Sequence, residues 1–354
     1  MAVLPGALDK ATLQGAVNRI LALQRADGTI PWYDAGVWDP WNHCHAAMGL
    51  AVIGERAAAE RAYSALAARQ NPDGSWWAQY GAAVPLDGNR YQGNGEEPWV
   101  RDTNYCAYPA AAVLHHYLLT EDMGFLRSYW PMVERAITFV LQYQSEHGEI
   151  RWSAPDPGTP QDDALVTGCS SIYKSLECAI RIAELLDHDA SAWRSARRRL
   201  GEALRDKPER FDRQWEKKDY FSMDWYYPVL SGVYRDGAAR ARIDARWGEF
   251  VAEGRGCRCV LQQPWVTIAE SCELVLALLG AGMKERAQAL WSWQHQWRAP
   301  CGAYWMGWQF EEDVPWPHEQ PAWTNAAVIL AADALSAATP ASRLMTEVGL
   351  DDTP

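Results

Sequence analysis

The sequence predicts an all-α fold, an (α/α)6 toroid of about six helical hairpins, on three observations. Segments with helical periodicity alternate with loops rich in Gly, Pro and Trp along all 354 residues. Two kinds of helix also alternate. Glu55 to Arg69 and Lys284 to Ala289 are amphipathic, whereas Tyr105 to Leu119 and Thr267 to Leu279 are apolar nearly all round. An amphipathic helix covers a core with one stripe, but a helix apolar on most sides has to be enclosed, so the alternation reads as an outer and an inner ring. The third observation is a weak internal repeat. Gln24-Arg25-Ala26-Asp27-Gly28-Thr29-Ile30-Pro31-Trp32 is echoed by Gln70-Asn71-Pro72-Asp73-Gly74-Ser75-Trp76, and more loosely by Gly148-Glu149-Ile150-Arg151-Trp152 and Gly302-Ala303-Tyr304-Trp305. Each reads as a helix stopped by a left-handed glycine and followed by an aromatic plug. The plainer account is that helix stops recur because hairpins recur, and recurring hairpins themselves argue for a toroid.

In chain order, periodicity places helices near residues 11–25, 42–54, 56–70, 103–119, 122–145, 168–187, 190–205, 222–235, 238–252, 266–281, 283–297 and 322–337. No linker, low-complexity segment or charge block divides the chain, so residues 1–354 are expected to form one domain. With 48% hydrophobic residues the chain can bury a large core, and a closed toroid accommodates its length.

Composition narrows the ligand. Twenty Trp stand against six Phe, and Trp, with a flat apolar face and one N–H donor, suits partly wet clefts. Sugars stack their C–H faces on indole, and polyprenyl carbocations are held by cation–π attraction, so a glycoside and an isoprenoid are the two small-molecule classes in view. The net charge of −12, with no long basic run except Arg194 to Arg199, argues against nucleic acid or an anionic membrane as partner; the run itself reads as a solvated helix face. Eight Cys, at 44, 106, 169, 178, 257, 259, 272 and 301, show no zinc or redox spacing and read as buried free thiols. With no basic-then-apolar N-terminal segment and no run of 18 apolar residues, the reading is a cytoplasmic protein without integral membrane association.

Candidate functional residues cluster at helix entrances. Trp316-Pro317-His318-Glu319-Gln320-Pro321-Ala322-Trp323-Thr324-Asn325 sets a carboxylate at the end of a Trp- and Pro-rich loop just before an apolar helix. Loops on a rigid scaffold commonly present catalytic groups, which makes Glu319 the first candidate; otherwise its charge simply favours the positive end of the following helix. Asp102 and Asn104 begin one apolar helix, Asp224 with Trp225, Tyr226 and Tyr227 another, and Glu270 and Glu273 share one face of a third. Facing inward, such carboxylates are functional by default, because unpaired buried charge is expensive; facing elsewhere they are caps or partners of Arg. Trp38, Trp41, Trp76, Trp152, Trp265, Trp305 and Trp323 are expected to line the cavity, beside polar groups that satisfy their N–H. His43 and His45 point to different sides of a helix, and His115 and His116 add no ligand spacing, so neither metal nor cofactor is expected.

Val37-Trp38-Asp39-Pro40-Trp41-Asn42, a helix, and then Gln70 to Trp76 resemble the sugar-binding loop, second helix and Pro-Asp-Gly-Ser turn of the (α/α)6-barrel glycosidases, closest to the glucoamylase and trehalase group, glycoside hydrolase family 15. Arg101-Asp102-Thr103-Asn104-Tyr105, Leu119 to Leu126 and Tyr129-Trp130-Pro131 are similar to its fourth and fifth helices, and Glu319-Gln320 before Trp323-Thr324-Asn325 looks like the loop that delivers the general base. The resemblance covers roughly residues 36–338. It implies inverting hydrolysis of a glycoside, with Trp38, Asp39, Trp41, Asn42, Trp76, Asp102, Asn104, Asp224, Trp265, Glu270, Trp305 and Trp323 around the substrate. Inversion needs an acid and a base about 6.5–9.5 Å apart. Glu319 would be the base, with the acid from Asp162, Asp163 or Glu270. Asp162 and Asp163 lie in the family's acid-bearing loop, here Asp156 to Asp163, where the family's acid is a Glu; their alternative is to sit as favourable charges in a helix's first turn. In the first loop Trp41-Asn42 replaces the family's sugar-gripping Arg-Asp pair, which puts glucose in doubt as the sugar. Gln70 to Trp76 also fits a turn of squalene-cyclase-like and prenyltransferase toroids, but the Asp-x-Asp-Asp acid of those cyclases is absent. A toroid that only binds its ligand is the third alternative.

Overall fold

The computed structural model describes residues 10–81, 100–154, 162–214 and 216–350. Thirteen α-helices are found among them: α1 (Lys10–Leu23), α2 (Pro40–Ile53), α3 (Arg56–Ala67), α4 (Thr103–Ala107), α5 (Pro109–Thr120), α6 (Met123–Leu141), α7 (Val166–Leu185), α8 (Ser191–Asp206), α9 (Ser222–Leu230), α10 (Asp236–Phe250), α11 (Ile268–Gly280), α12 (Lys284–Gln294) and α13 (Ala322–Ser336). The expected helix at 103–119 divides at Tyr108-Pro109, because Pro lacks the N–H that an uninterrupted helix would use.

The helices form the expected (α/α)6 toroid. Helices α2, α5, α7, α9, α11 and α13 pack each against the next, and α13 returns to α2, closing an inner ring; α1, α3, α6, α8, α10 and α12 lie outside. Helix α2 is buried at nearly every residue and α11 through Leu278, as all-round apolarity demands, whereas α3 and α8 bury one stripe.

The sequence repeat is the clasp that closes this ring. Gly28, Gly74, Gly148 and Gly302 all take positive φ, between 85° and 108°. Each turn has the same hydrogen bonds, for example Gly28 N–H to Arg25 O and Arg25 N–H to Thr29 O, or Gly302 N–H to Ala299 O and Ala299 N–H to Ala303 O. In the first three, a Gln at the preceding helix end (Gln24, Gln70, Gln144) donates to the turn glycine's carbonyl and to a carbonyl of the next outer helix, Ala58, Met132 or Ala196. An Arg three residues further on, Arg61, Arg135 or Arg199, returns a hydrogen bond to the same Gln. A Cβ on Gly28, Gly74 or Gly148 would overlap the carbonyl of that Arg. The fourth turn lacks the Gln, and its close approach is met from the other side: a Cβ on Gly15 of α1 would overlap the backbone of Gly302, so the last turn seats on the first outer helix.

Two features depart from expectation. A small antiparallel sheet, in the order β1 (Val251–Ala252), β2 (Gly256–Arg258), β3 (Trp265–Thr267), β4 (Gly307–Gln309) and β5 (Val314–Pro315), occupies segments read as helix ends and loops. Its strands have only two or three residues, too short to show a two-residue period. The Arg194 to Arg199 run is not a uniformly solvated face. Arg197 is buried and pairs with Glu177, which also accepts from Lys174, and Arg199 belongs to a clasp. At the far end of the ring the C-terminal tail is tied down by Lys174 to Glu347 O, Gly349 N–H to Glu177 and Arg235 to Leu350 O. Among the described residues no helix is long and apolar enough to cross a membrane.

Within the ring, the Tyr226 hydroxyl donates to Glu273 at 2.6 Å and the Tyr227 hydroxyl at 3.4 Å, and burial pushes this carboxyl up to about 8 from an ordinary 4.5. A carboxyl raised in this way contributes stability in full below its unfolded value, and the contribution is lost as pH rises through the folded value. Thermal stability should therefore fall between about pH 4.5 and about pH 8. Glu273→Gln, which keeps an acceptor but does not titrate, should make that fall shallower in a melting series. Gly15→Ala supplies a second check. Mid-helix Gly to Ala ordinarily adds roughly 0.5–1 kcal/mol; here the melting temperature should drop, and a rise would contradict the clasp.

Candidate functional site

Four inner helices, and the short α4 that precedes α5, deliver their N-terminal residues to one cavity of about 280 Å³. Trp41 and Asn42 come from α2, Asp102 to Tyr105 from α4, Thr167 to Ile172 from α7, Met223 and Tyr227 from α9, and Trp323 from α13. The local cause is helix capping. Asp39 caps α2, with Oδ1 accepting from Asn42 N–H at 2.9 Å; Oδ2 accepts from Asn42 Nδ2 and Trp32 Nε1, each at 2.5 Å. Asp39 is therefore fully buried beneath the cavity and aims Asn42 into it, while burial raises its carboxyl to about 6. Asp102 caps α4: Oδ1 accepts from Asn104 and Tyr105 N–H, at 2.8 and 3.2 Å. Its Oδ2 takes no hydrogen bond among the described residues. Burial is the main cause, and the nearby Asp39 a lesser one, that pushes this carboxyl up to about 7 against the pull of the two N–H groups.

Three indoles form the walls. Trp41 meets Trp323 edge-on at 6.1 Å, and Trp152 stands opposite the start of α4. Ile150, Leu165, Ile172 and Met223 make an apolar flank. Trp41 Nε1, Asn42 Oδ1 and Asn104 Oδ1 are buried with no hydrogen-bond partner among the described residues. Leaving such groups unmet costs about 1–3 kcal/mol each, and all three residues line this cavity, so a ligand with both donors and acceptors would satisfy them. Hydroxyls on a ring with apolar C–H faces meet that description, and the Asp102 carboxyl stands beside it.

The other expected site residues lie elsewhere. Trp76 is a core plug: it is fully buried and gives its N–H to Leu66 O, in the turn position filled by Ile30, Ile150 and Tyr304 in the sister clasps. Trp38 stacks on Tyr80 at 4.3 Å, Trp265 donates to Trp316 O, and Trp305 packs on His318; none of the three lines the cavity. A backbone carbonyl takes the N–H of Trp76 and of Trp265, and a neighbouring ring packs on Trp38 and on Trp305. Asp162 is exposed, and Arg213 and Arg151 hold its carboxyl below the usual range, the wrong direction for an acid. Asp163 is buried and accepts from the N–H groups of Ala164, Arg213 and Gln214, so it staples two loops together. His43 is likewise structural, accepting from Ile30 N–H and donating to Ala62 O.

Glu270 lies buried in the first turn of α11, with Oε2 unpartnered and its carboxyl raised by burial. Glu319 is half-buried in the loop before α13, its backbone pinned by Pro317 and Met306. Asp224 faces away from the cavity, whereas its neighbours Met223 and Tyr227, four residues apart on one helix face, line it. Thr167, Met223 and Tyr227 were not singled out in the sequence as cavity residues. The i,i+4 pair was the signal for the latter two, and Thr167 carries none.

No family model matches the chain. MMP endo-(1,4)-3-O-methyl-alpha-D-mannosidase of Mycolicibacterium hassiacum is 42% identical over 346 residues, which is 98% of this chain and 92% of that protein. Among solved structures, a glycosidase variant in complex with glucose superposes with a TM-score of 0.70 at 15% identity, covering 93% of this chain and 97% of the other. The family 63 mannosylglycerate hydrolase of Thermus thermophilus, in complex with Tris and D-glycerate, does so with a TM-score of 0.62 at 12% identity, covering 91% and 99%. At such identities the structural likeness carries the fold alone. Of the expected glucoamylase and trehalase kinship, the part that holds is the (α/α)-barrel glycosidase, and the isoprenoid alternative falls to a mannosidase relative matched along nearly the whole chain. On that identity and that fold, the chain is a glycoside hydrolase and belongs to the family of the Mycolicibacterium hassiacum endomannosidase.

Proposed function

We propose that this glycoside hydrolase cleaves an internal α-mannosidic bond of an O-methylated mannan, with inversion, in the cavity at the N-terminal ends of the inner helices. The observation that carries the reading is a cavity walled by three indoles and lined by Asp102, Trp41, Asn42 and Asn104, the last three with polar atoms that have no partner among the described residues. The Ile150, Leu165, Ile172 and Met223 flank suits a methyl ether, which has lost the hydroxyl that an apolar wall would leave unsatisfied. The relative's substrate, named as a 3-O-methyl-mannoside, supports the same choice. Eight free thiols, one of them exposed, support a reducing, cytoplasmic setting.

In this mechanism Asp102 is the general acid. Its Oδ1 is fixed by two backbone N–H groups, Oδ2 is available to carry the proton, and a value of about 7 keeps much of the carboxyl protonated near neutrality. Glu319 is the base that activates water from the far side. The loop that carries it also leads into Trp323, a cavity wall. Glu270, whose carboxyl is raised by burial, does not line the cavity and takes no part in the proton transfers.

Because Asp102 acts protonated, kcat/KM should decline as pH rises through about 7. Asp102→Asn should lower hydrolysis of the mannan by 10² to 10⁴, of order for a lost acid or base. It should nonetheless keep turnover of an oligomannosyl fluoride, whose leaving group needs no proton. Glu319→Gln should lose both substrates while keeping affinity. Loss of fluoride turnover in Asp102→Asn, or its survival in Glu319→Gln, would reverse the roles. Mass spectrometry of products from methylated and unmethylated mannans tests the substrate. Oligosaccharides released preferentially from the methylated chain are expected, and release of single sugars from the ends would defeat the endo assignment.

A further inference from the structure

A second cavity, of about 470 Å³, lies beyond the wall of the first. The wall is one chain thick on each side, and consecutive residues alternate across it. Leu165 and Thr167 face the first cavity while Val166 faces the second; Met223 faces the first while Asp224 and Trp225 face the second. The Thr167 hydroxyl donates across the wall to Asp224 Oδ1 at 2.5 Å, which ties the two linings together. On its outer side the second cavity is bordered by Phe211 and by α10, through Arg242, Ala245 and Arg246, and opens to solvent.

The lining chemistry selects a neutral, hydroxyl-rich ligand. Asp212, Asp219 and Asp224 stand against Lys217, Arg242 and Arg246, so the lining mixes both signs and has no large excess of either to select an ion. Among the described residues no cluster of His, Cys, Asp or Glu could hold a metal ion. Acceptors are nevertheless waiting. Among the described residues Asp212 Oδ1 is buried without a partner, its Oδ2 being taken by Lys218 N–H. Asp224, only 8% exposed, has no side-chain partner beyond Thr167. Burial, with Asp212 adding to it, raises the Asp224 carboxyl to about 7. Arg242 spends Nε and Nη2 on the carbonyls of Trp225 and Asp224, fixing the start of α9 against α10 and so the shape of the cavity.

We infer that this second cavity is a remote carbohydrate subsite, holding a sugar unit of the same chain whose scissile bond lies in the first cavity, with Asp212 and Asp224 accepting from its hydroxyls. The inference rests on the glycan-chain reading proposed above, and it makes the enzyme a length-sensing one: a chain long enough to cross the Val166 and Asp224 wall gains contacts that a short one cannot reach.

Ala245 reaches the second cavity from the exposed side of α10 and touches nothing in the first, so Ala245→Trp fills the subsite alone. Asp212→Asn removes a charge while keeping shape, and Asn tolerates the φ of +52° at this position. Across a ladder of mannan oligosaccharides, Ala245→Trp should lower kcat/KM for the long members about tenfold, leave the shortest cleaved member unchanged, and shift the product sizes. Asp212→Asn should do the same by several-fold. An equal effect on all lengths in both variants, or none on any, would overturn the subsite while leaving the function intact. Failure of the wild-type enzyme to cleave any member would overturn the parent reading, and the subsite with it.

Discussion

The structure depends on one repeated contact: a left-handed glycine turn pressed onto the next outer helix. At Gly28, Gly74 and Gly148 the backbones approach so closely that no Cβ fits, and a Gln side chain bridges the turn carbonyl and the neighbouring helix. Each clasp sets the angle between successive hairpins. Gly302 against Gly15 is where the accumulated rotation closes on itself. Such packing has little tolerance, since interiors pack as densely as crystals and a lost ångström in one hairpin would open the ring.

Once the ring is closed, its chemistry follows from helix polarity. The chain enters each inner helix from the same face, so orphan N–H groups and positive helix ends gather at one mouth. Asp39 and Asp102 answer that need as caps, and in doing so one becomes a buried and the other a half-buried carboxyl, near one another. Capping favours the ionised form and burial the neutral one; burial wins at both, leaving values of about 6 and about 7. A residue type chosen to start a helix is thus left titrating in the range where proton transfer works. Asp163 shows the contrast. Three N–H donors and no opening onto the cavity make the same residue type a staple.

The same polarity explains the division of labour among tryptophans. Trp41, Trp152 and Trp323 stand at helix starts or on the strand-like approach to them, with a free face toward the mouth. Trp76 stands in a clasp, where the residue two positions after the glycine always points inward to plug the turn, and its N–H is spent on Leu66 O. In sequence both kinds sit in polar loops beside Gly and Pro, so loop position alone could not separate a wall from a plug. Alignment of the four turns shows Trp76 in the plug position, held in the others by the buried Ile30, Ile150 and Tyr304, of which only Ile150 also touches the cavity.

What the sequence by itself determined is local or periodic. Helix stops, the alternation of one-stripe and all-round apolar helices and the recurrence of Gly turns were all written in nearest-neighbour patterns, and together they dictated the (α/α)6 toroid. The candidate entrance at Asp102 and Asn104 was legible for the same reason, since a cap is read from the residues it caps, whereas Asn42 came from the likeness of its loop to that of a known family. Tertiary structure alone decided which entrance residues share a space. Whether Asp224 faces the first cavity or the second turns on a one-residue step of about 100° around α9, and whether Asp162 is free or held turns on Arg213, 51 residues away in sequence. The short β-sheet and the partners of Arg197 belong to the same class. Their energetics come from contacts between segments distant along the chain, which no local pattern encodes.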